Sequence, residues 1–154
     1  TGRRLATTLA RCPITLVHGD FGPGNVLARP DPEAWGIVDW DLADADLAVW
    51  DLARAIDRLA VYWPTESGRP TEIRANVAAA MLRGYETARP LNSAERAALP
   101  VLIAASRIDL DASVLPMCVP LEPEAAEPIL IAMLARLSRA AAGAPELADA
   151  LTAP

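Results

Sequence analysis

The chain has 154 residues, 53% of them hydrophobic, with a formal net charge of −6 and a sequence pI of about 4.7. That length and apolar content suit one folded domain with a real core and exclude a disordered chain. The acidic balance argues against nucleic acid or an anionic membrane as partner.

No apolar run approaches the length needed to cross a bilayer. The start, Thr1-Gly2-Arg3-Arg4, lacks the apolar stretch of a signal peptide, and its missing Met suggests a processed, tagged or partial chain. Cys12 and Cys118 make neither a disulfide framework nor a metal-binding spacing, so a reducing cytoplasm is the expected location. All fourteen basic residues are arginine. An acidic surface suits a cationic substrate such as an aminosugar.

In chain order, residues 3–11 read as a helix ended by Cys12-Pro13. Ile14–Val17 is a short strand. Val26-Leu27 and Ile37-Val38 flank a Pro- and Asp-rich turn from Arg29 to Glu33 and read as a β-hairpin. From Leu47 to Tyr62, apolar residues recur at three- and four-residue steps, which predicts the buried central helix. Arg54, Asp57 and Arg58 fall on its other side, where they can pair with one another. Trp63-Pro64 stops it. A polar loop from Thr65 to Pro70 follows, and a helix capped by Thr71 runs to about Ala88. Asn92 or Ser93 caps another helix through Leu110, Asn92 having Glu95 three residues on as an imperfect capping box, with a break or kink expected at Pro100. Asp109 and Asp111 read as solvated helix-end carboxylates in preference to pocket residues. Val114–Pro123 reads as a connector, Glu124–Ala141 as an amphipathic helix, and Glu146–Leu151 as a last short helix or tail.

The stretch that organises the chain is Leu16-Val17-His18-Gly19-Asp20-Phe21-Gly22-Pro23-Gly24-Asn25-Val26-Leu27. Gly36-Ile37-Val38-Asp39-Trp40-Asp41 follows soon after. The hairpin brings Asn25, just before its first strand, close to Asp39 at the end of its second. A carboxylate beside an amide oxygen offers hard ligands of the kind Mg²⁺ accepts, with phosphate oxygens and water completing its shell. Asp20 lies across the loop and can reach a substrate hydroxyl instead. Taken singly, Asp20 also fits an ordinary turn, Asn25 a left-handed strand entry, and Asp39 a cap. The acidic run from Asp39 to Asp46 fails as a calcium loop, because Asp44 and Trp50 stand where glycine and glutamate belong. No Gly-Lys-Ser/Thr follows Gly19, Gly22 and Gly24, which excludes a Walker A loop.

His18-Gly19-Asp20-x-x-x-x-Asn25 followed by Ile37-Val38-Asp39-Trp40-Asp41 resembles the aminoglycoside phosphotransferase family. These are small-molecule kinases related to protein kinases, and they include choline, homoserine and methylthioribose kinases. Asp46 and Trp50-Asp51-Leu52-Ala53 resemble a further run of that family. The similarity is dense from Leu16 to Ala55. It implies Asp20 as catalytic base, and Asn25 and Asp39 as metal ligands that also hold the nucleotide. It implies Asp51 as the brace of the catalytic loop and a structural, loop-supporting role for His18. Its cofactors are ATP and Mg²⁺.

Kinases of this superfamily hold the α- and β-phosphates with a lysine on an N-terminal β-lobe, and this chain has none. The expected fold is therefore mostly α with a small β-hairpin: the C-terminal lobe of a protein-kinase-like fold, without its N-terminal β-lobe. Residues 1–154 form one domain in this reading, with the catalytic loop and metal-binding hairpin at 14–41 and a helical subdomain at 46–154. The expected function is ATP-dependent phosphorylation of a small-molecule hydroxyl, aminoglycoside-type, with the N-terminal lobe as the missing partner in cis. The alternative is a truncated or degenerate lobe, inactive alone, that serves as a helical binding module. A lobe that packs under another is also expected to expose an apolar patch near Phe21, Trp35 and Trp40 and to self-associate.

Overall fold

The computed structural model describes residues 2–31, 33, 35–65, 71–118, 121–142, 147–149 and 151. Five helices carry most of it: α1 (Gly2–Leu9), α2 (Trp50–Ala60), α3 (Ala75–Ala88), α4 (Ser93–Cys118) and α5 (Pro123–Ala142). Among the described residues six short strands pair antiparallel in twos. β1 (Ile14–Val17) pairs with β4 (Asp44–Leu47), β2 (Val26–Leu27) with β3 (Gly36–Ile37), and β5 (Val61–Tyr62) with β6 (Glu72–Ile73). The mostly α architecture with a small hairpin is the one expected from the sequence.

The core forms around α2. Val49, Ala53, Ile56 and Ala60 recur at steps of four, three and four and are completely or almost completely buried. α3 and α4 pack on α2, while α1 and α5 pack on α4. Ala98, Leu99, Leu102 and Ile103 of α4 close the same cluster. Leu52, Arg54, Ala55 and Asp57 are also buried, so α2 is enclosed on nearly every side. A charge inside such a helix must find a partner, because burying it alone is costly.

Several local expectations are corrected. Helix α2 starts at Trp50, because Leu47 is the last residue of β4. It ends at Ala60, where the chain enters β5 before Trp63-Pro64 is reached. Thr71 caps nothing: Glu72–Ile73 pairs with β5, and α3 opens only at Ala75. Of the break or kink expected at Pro100 no break occurs: helix α4 is continuous through it and on through Pro116 to Cys118, so residues 114–118 are helix and not connector. A proline inside a helix costs about 3 kcal/mol. The neighbouring Leu99, Leu102 and Ile103 are almost wholly buried, and their burial outweighs that loss. Most of the expected polar loop at 65–70, and part of the tail at 146–151, lies outside the described residues.

The start of α4 is a reciprocal capping box. Asn92 Oδ1 accepts the N–H groups of Ala94 and Glu95, while Glu95 Oε2 accepts the N–H of Asn92 at 2.9 Å. Arg89 bonds the same glutamate. Burial opposes ionisation of Glu95, yet these bonds outweigh it and hold its carboxyl below the usual range.

Candidate active site

The loop from His18 to Asn25 joins β1 to the 2–3 hairpin and is held from below by α2. Val17 and His18 are buried at its root. The His18 N–H donates to Asp51 Oδ2 at 2.7 Å, and the Gly19 N–H donates to Asp51 Oδ1 at 3.0 Å. One carboxylate therefore satisfies two consecutive backbone donors. Asp51 lies in the first turn of α2, where the helix dipole favours a negative charge. Gly19 has φ +79°, and a Cβ there would lie 2.1 Å from the Leu42 carbonyl oxygen. Only glycine fits that approach.

His18 locks the loop to the hairpin. Its Nδ1 accepts the Asp20 N–H at 3.3 Å, which leaves Nε2 protonated to donate to the Val38 carbonyl at 2.9 Å. Its ring packs against Trp40, with centroids 4.7 Å apart, and edge-on to Phe21 at 6.0 Å. Both ring nitrogens are thus engaged inside the fold.

Asp20 and Asn25 meet directly. Asn25 Nδ2 donates to the Asp20 carbonyl at 3.0 Å and to Asp20 Oδ2 at 3.2 Å. The amide oxygen of Asn25 makes no hydrogen bond among the described residues. The hairpin register sets Val26 opposite Ile37, and the Val38 N–H donates to the Asn25 carbonyl at 3.0 Å. Asp39 is the next residue. It adopts φ +66°, is exposed, and its carboxylate has no partner among the described residues. No bond joins it to the Asn25 side chain. An amide oxygen and a carboxylate, both without protein donors among the described residues, are hard-oxygen groups of the kind that suits Mg²⁺, which keeps several of its waters and takes few protein ligands.

The sequence reading missed the cations around Asp20. Arg54 Nη2 donates to Asp20 Oδ1 at 3.0 Å, and Arg58 bonds the same oxygen through Nη2 and the Asp20 carbonyl through Nη1. Burial works against ionised Asp20, but the hydrogen bonds and charges of Arg58 and Arg54 outweigh it and hold its carboxyl below the usual range. Arg54 also bonds Asp109 of α4. Asp57 is wholly buried, bonded by Trp63 Nε1 at 2.6 Å and paired with Arg107 at 3.0 Å. Burial pushes the Asp57 carboxyl up despite those partners. Asp111 is buried and paired with Arg136 at 2.9 Å. So Arg54, Asp57 and Arg58 do not pair among themselves on a solvent face; Asp109 is solvent-exposed as expected but lies inside α4 and pairs with Arg54, while Asp111 is buried and is no solvated helix end. All five make ion pairs between elements.

Beside the loop opens a cleft of about 660 Å³, lined by Phe21, Trp35, Ile37, Trp40, Met81 and Tyr85 among others. Trp35 and Trp40 are about half exposed, at 55% and 49%. The apolar patch expected near Phe21, Trp35 and Trp40 is present. No helix among the described residues is long and apolar enough to cross a membrane.

Residues 2–98 match the sequence profile of the phosphotransferase enzyme family. The chain is similar to the homoserine kinase of Phenylobacterium zucineum (strain HLK1), with 39% identity over 90 residues, 58% of this chain and 26% of the relative. The homoserine kinase of Caulobacter sp. (strain K31) gives 36% over 90 residues, with the same coverage. That of Acidiphilium cryptum (strain JF-5) gives 36% over 108 residues, 68% of this chain and 32% of the relative. The chain spans about a quarter to a third of the length of these curated relatives. With a family match over well more than half of its residues, the chain belongs to the phosphotransferase enzyme family.

Proposed function

We propose that these residues form the catalytic part of an ATP-dependent kinase that phosphorylates a small-molecule hydroxyl, and that the acceptor is homoserine and not an aminoglycoside. The observation that carries the reaction type is the loop itself: Asp20 is held by two arginines and Asn25, the Asn25 amide oxygen and the Asp39 carboxylate have no partner among the described residues, and Asp39 directly follows Val38, whose N–H is bonded to the Asn25 carbonyl. The acceptor is proposed from the relatives, whose names are homoserine kinase.

In this reading Oδ1 of Asp20 is occupied by the arginines, and Oδ2 orients the acceptor hydroxyl and takes its proton. A carboxylate with depressed proton affinity is a weak base. That suits phosphoryl transfer, whose loose transition state asks for positioning more than for early proton removal. Mg²⁺ held by Asn25 Oδ1 and Asp39 would neutralise the charge on the phosphates. Asp51 and His18 keep the loop in shape.

These 154 residues contain no lysine, so the lysine that holds the nucleotide phosphates in this superfamily must come from outside them. Activity is therefore proposed for the longer chain, with this segment inactive alone and an N-terminal lobe as its partner in cis. A cytoplasmic location accords with ATP as donor.

The test is transfer from ATP to homoserine by the full product of the gene, followed by ³¹P NMR, with choline and an aminoglycoside in parallel. Phosphorylation of homoserine above the others is expected. Preference for another alcohol would overturn the substrate assignment, and turnover by the 154-residue chain alone would overturn its dependence on a second lobe.

A further inference from the structure

A buried arginine that touches two carboxylates from distant parts of the chain needs a reason. Arg54 sits on α2 with its side chain only 4% exposed. Its Nη1 meets Asp109 of α4 and its Nη2 meets Asp20 of the loop, 55 and 34 residues away in sequence. Its guanidinium lies over the Trp50 ring, 5.6 Å from the centroid, and its Nε has no hydrogen-bond partner among the described residues. An apolar side chain would fill this place in a core at lower desolvation cost. A lysine would replace it only in part, since a single ammonium keeps the charge but lacks the planar fork that spans two carboxylates.

We propose that Arg54 is a positioning residue for the reaction: anchored from behind by Asp109, it fixes the rotamer of Asp20 so that Oδ2, and not Oδ1, is presented to the acceptor. This rests on the reading of Asp20 as the residue that orients the acceptor. Arg54 and Arg58 share Oδ1, so that oxygen has its donors. Among the described residues Oδ2 receives one bond, from Asn25, at 3.2 Å, and retains acceptor capacity. Arg58 holds the Asp20 carbonyl as well, so it restrains the loop backbone. Arg54 touches only the carboxylate, so it acts on the side-chain torsion alone. Asp109 gives that restraint its direction. Its own side chain is 58% exposed, so it can be neutralised without opening the core. Through this pair, α4 reports its position to the catalytic loop.

The experiment measures the Asp20 rotamer and turnover separately. Three-bond Hα–Hβ couplings of Asp20 in the 154-residue chain report its χ1. Wild type is expected to show one rotamer, while Asp109→Asn and Arg54→Gln show averaging, with the Arg54→Lys variant between them. In the full gene product, kcat is expected to fall by about tenfold to a hundredfold in Asp109→Asn, with the KM for ATP unchanged. Arg54→Lys is expected to recover part of the Arg54→Gln loss. A single Asp20 rotamer in the exposed-site variant Asp109→Asn would overturn the proposal, even if Arg54→Gln fails to fold. Equal falls in kcat and thermal stability across the set, with no rotamer change, would also overturn it. If the full product transfers no phosphate, the couplings still decide the positioning, and only the functional reading fails.

Discussion

Replacing Asp51 by alanine is expected to remove about 2–6 kcal/mol of stability, a large share of the 5–15 kcal/mol typical of a domain. The estimate counts two backbone donors, His18 N–H and Gly19 N–H, left without their carboxylate at the root of the loop. Each buried donor left unsatisfied costs about 1–3 kcal/mol. His18 is 2% exposed, so water does not readily replace the lost acceptor there. Asp51→Asn should fall between the two, since an amide offers one acceptor oxygen in place of two. Asp46→Ala is the comparison: that exposed carboxylate bonds only the N–H of the next residue, Leu47, and its loss should cost about 0.5 kcal/mol or less. Urea unfolding followed by circular dichroism measures all three. Equal effects of Asp51→Ala and Asp46→Ala would show that the loop does not depend on α2 for its shape.

Gly19→Ala should destabilise by about 2–5 kcal/mol, from about 1–2 for a left-handed backbone with a Cβ and about 1–3 for overpacking. The clash is with the carbonyl oxygen of Leu42, 2.1 Å from the Cβ position, and backbone cannot swing aside as a side-chain tip can. Leu42 lies in a turn closed by the Ala43 N–H donating to the Trp40 carbonyl at 2.9 Å, so the strain passes to the segment that carries Trp40 against His18. Gly24→Ala tests the same loop without the clash, because nothing lies within 4 Å of its Cβ. It should be neutral or stabilising by about 0.4–1 kcal/mol through the unfolded chain. Thermal unfolding of the two variants checks this. A Gly19→Ala variant as stable as wild type would contradict the tight approach of the loop to residue 42.

The sequence carried the loop because its signals are local. The glycines, the proline and the two apolar runs at Val26-Leu27 and Ile37-Val38 define a turn and a hairpin within a few residues of one another. Asp51 was marked by the resemblance, and its first-turn position in α2 follows from the helical period that begins nearby. Strand β4 was not legible, because Asp44-Ala45-Asp46-Leu47 shows too little β-branched or aromatic character to compete with a loop. It is a strand because β1 lies beside it, with Ile14 opposite Leu47 and Val17 opposite Asp44. The charges of α2 failed for the same reason. Periodicity told which residues oppose the apolar stripe, but not that α4 and the loop from His18 to Asn25 cover that side too. Arg54, Asp57 and Arg58 find partners 34 to 55 residues away, and no spacing rule reaches that far. A signal was still available. Three charges on a helix expected to be the buried centre of the domain had to be paired with something, and Asp20 and Asp109 were candidates on charge alone. Pro100 misled for the opposite reason: its local rule is sound, but burial of Leu99, Leu102 and Ile103 overrides it.

Asp39 and Asn25 are proposed to form a metal–nucleotide site beside Asp20. The most direct measurement is titration of the full gene product with MgATP in a calorimeter, for wild type, Asp39→Ala and Asp41→Ala. Losing even an outer partner of a metal costs about 10–100-fold in affinity, so removing the ligand itself should weaken MgATP binding at least about tenfold. The neighbouring exposed carboxylate of Asp41 should have no such effect. MgATP bound equally well by wild type and Asp39→Ala would contradict the account at its root.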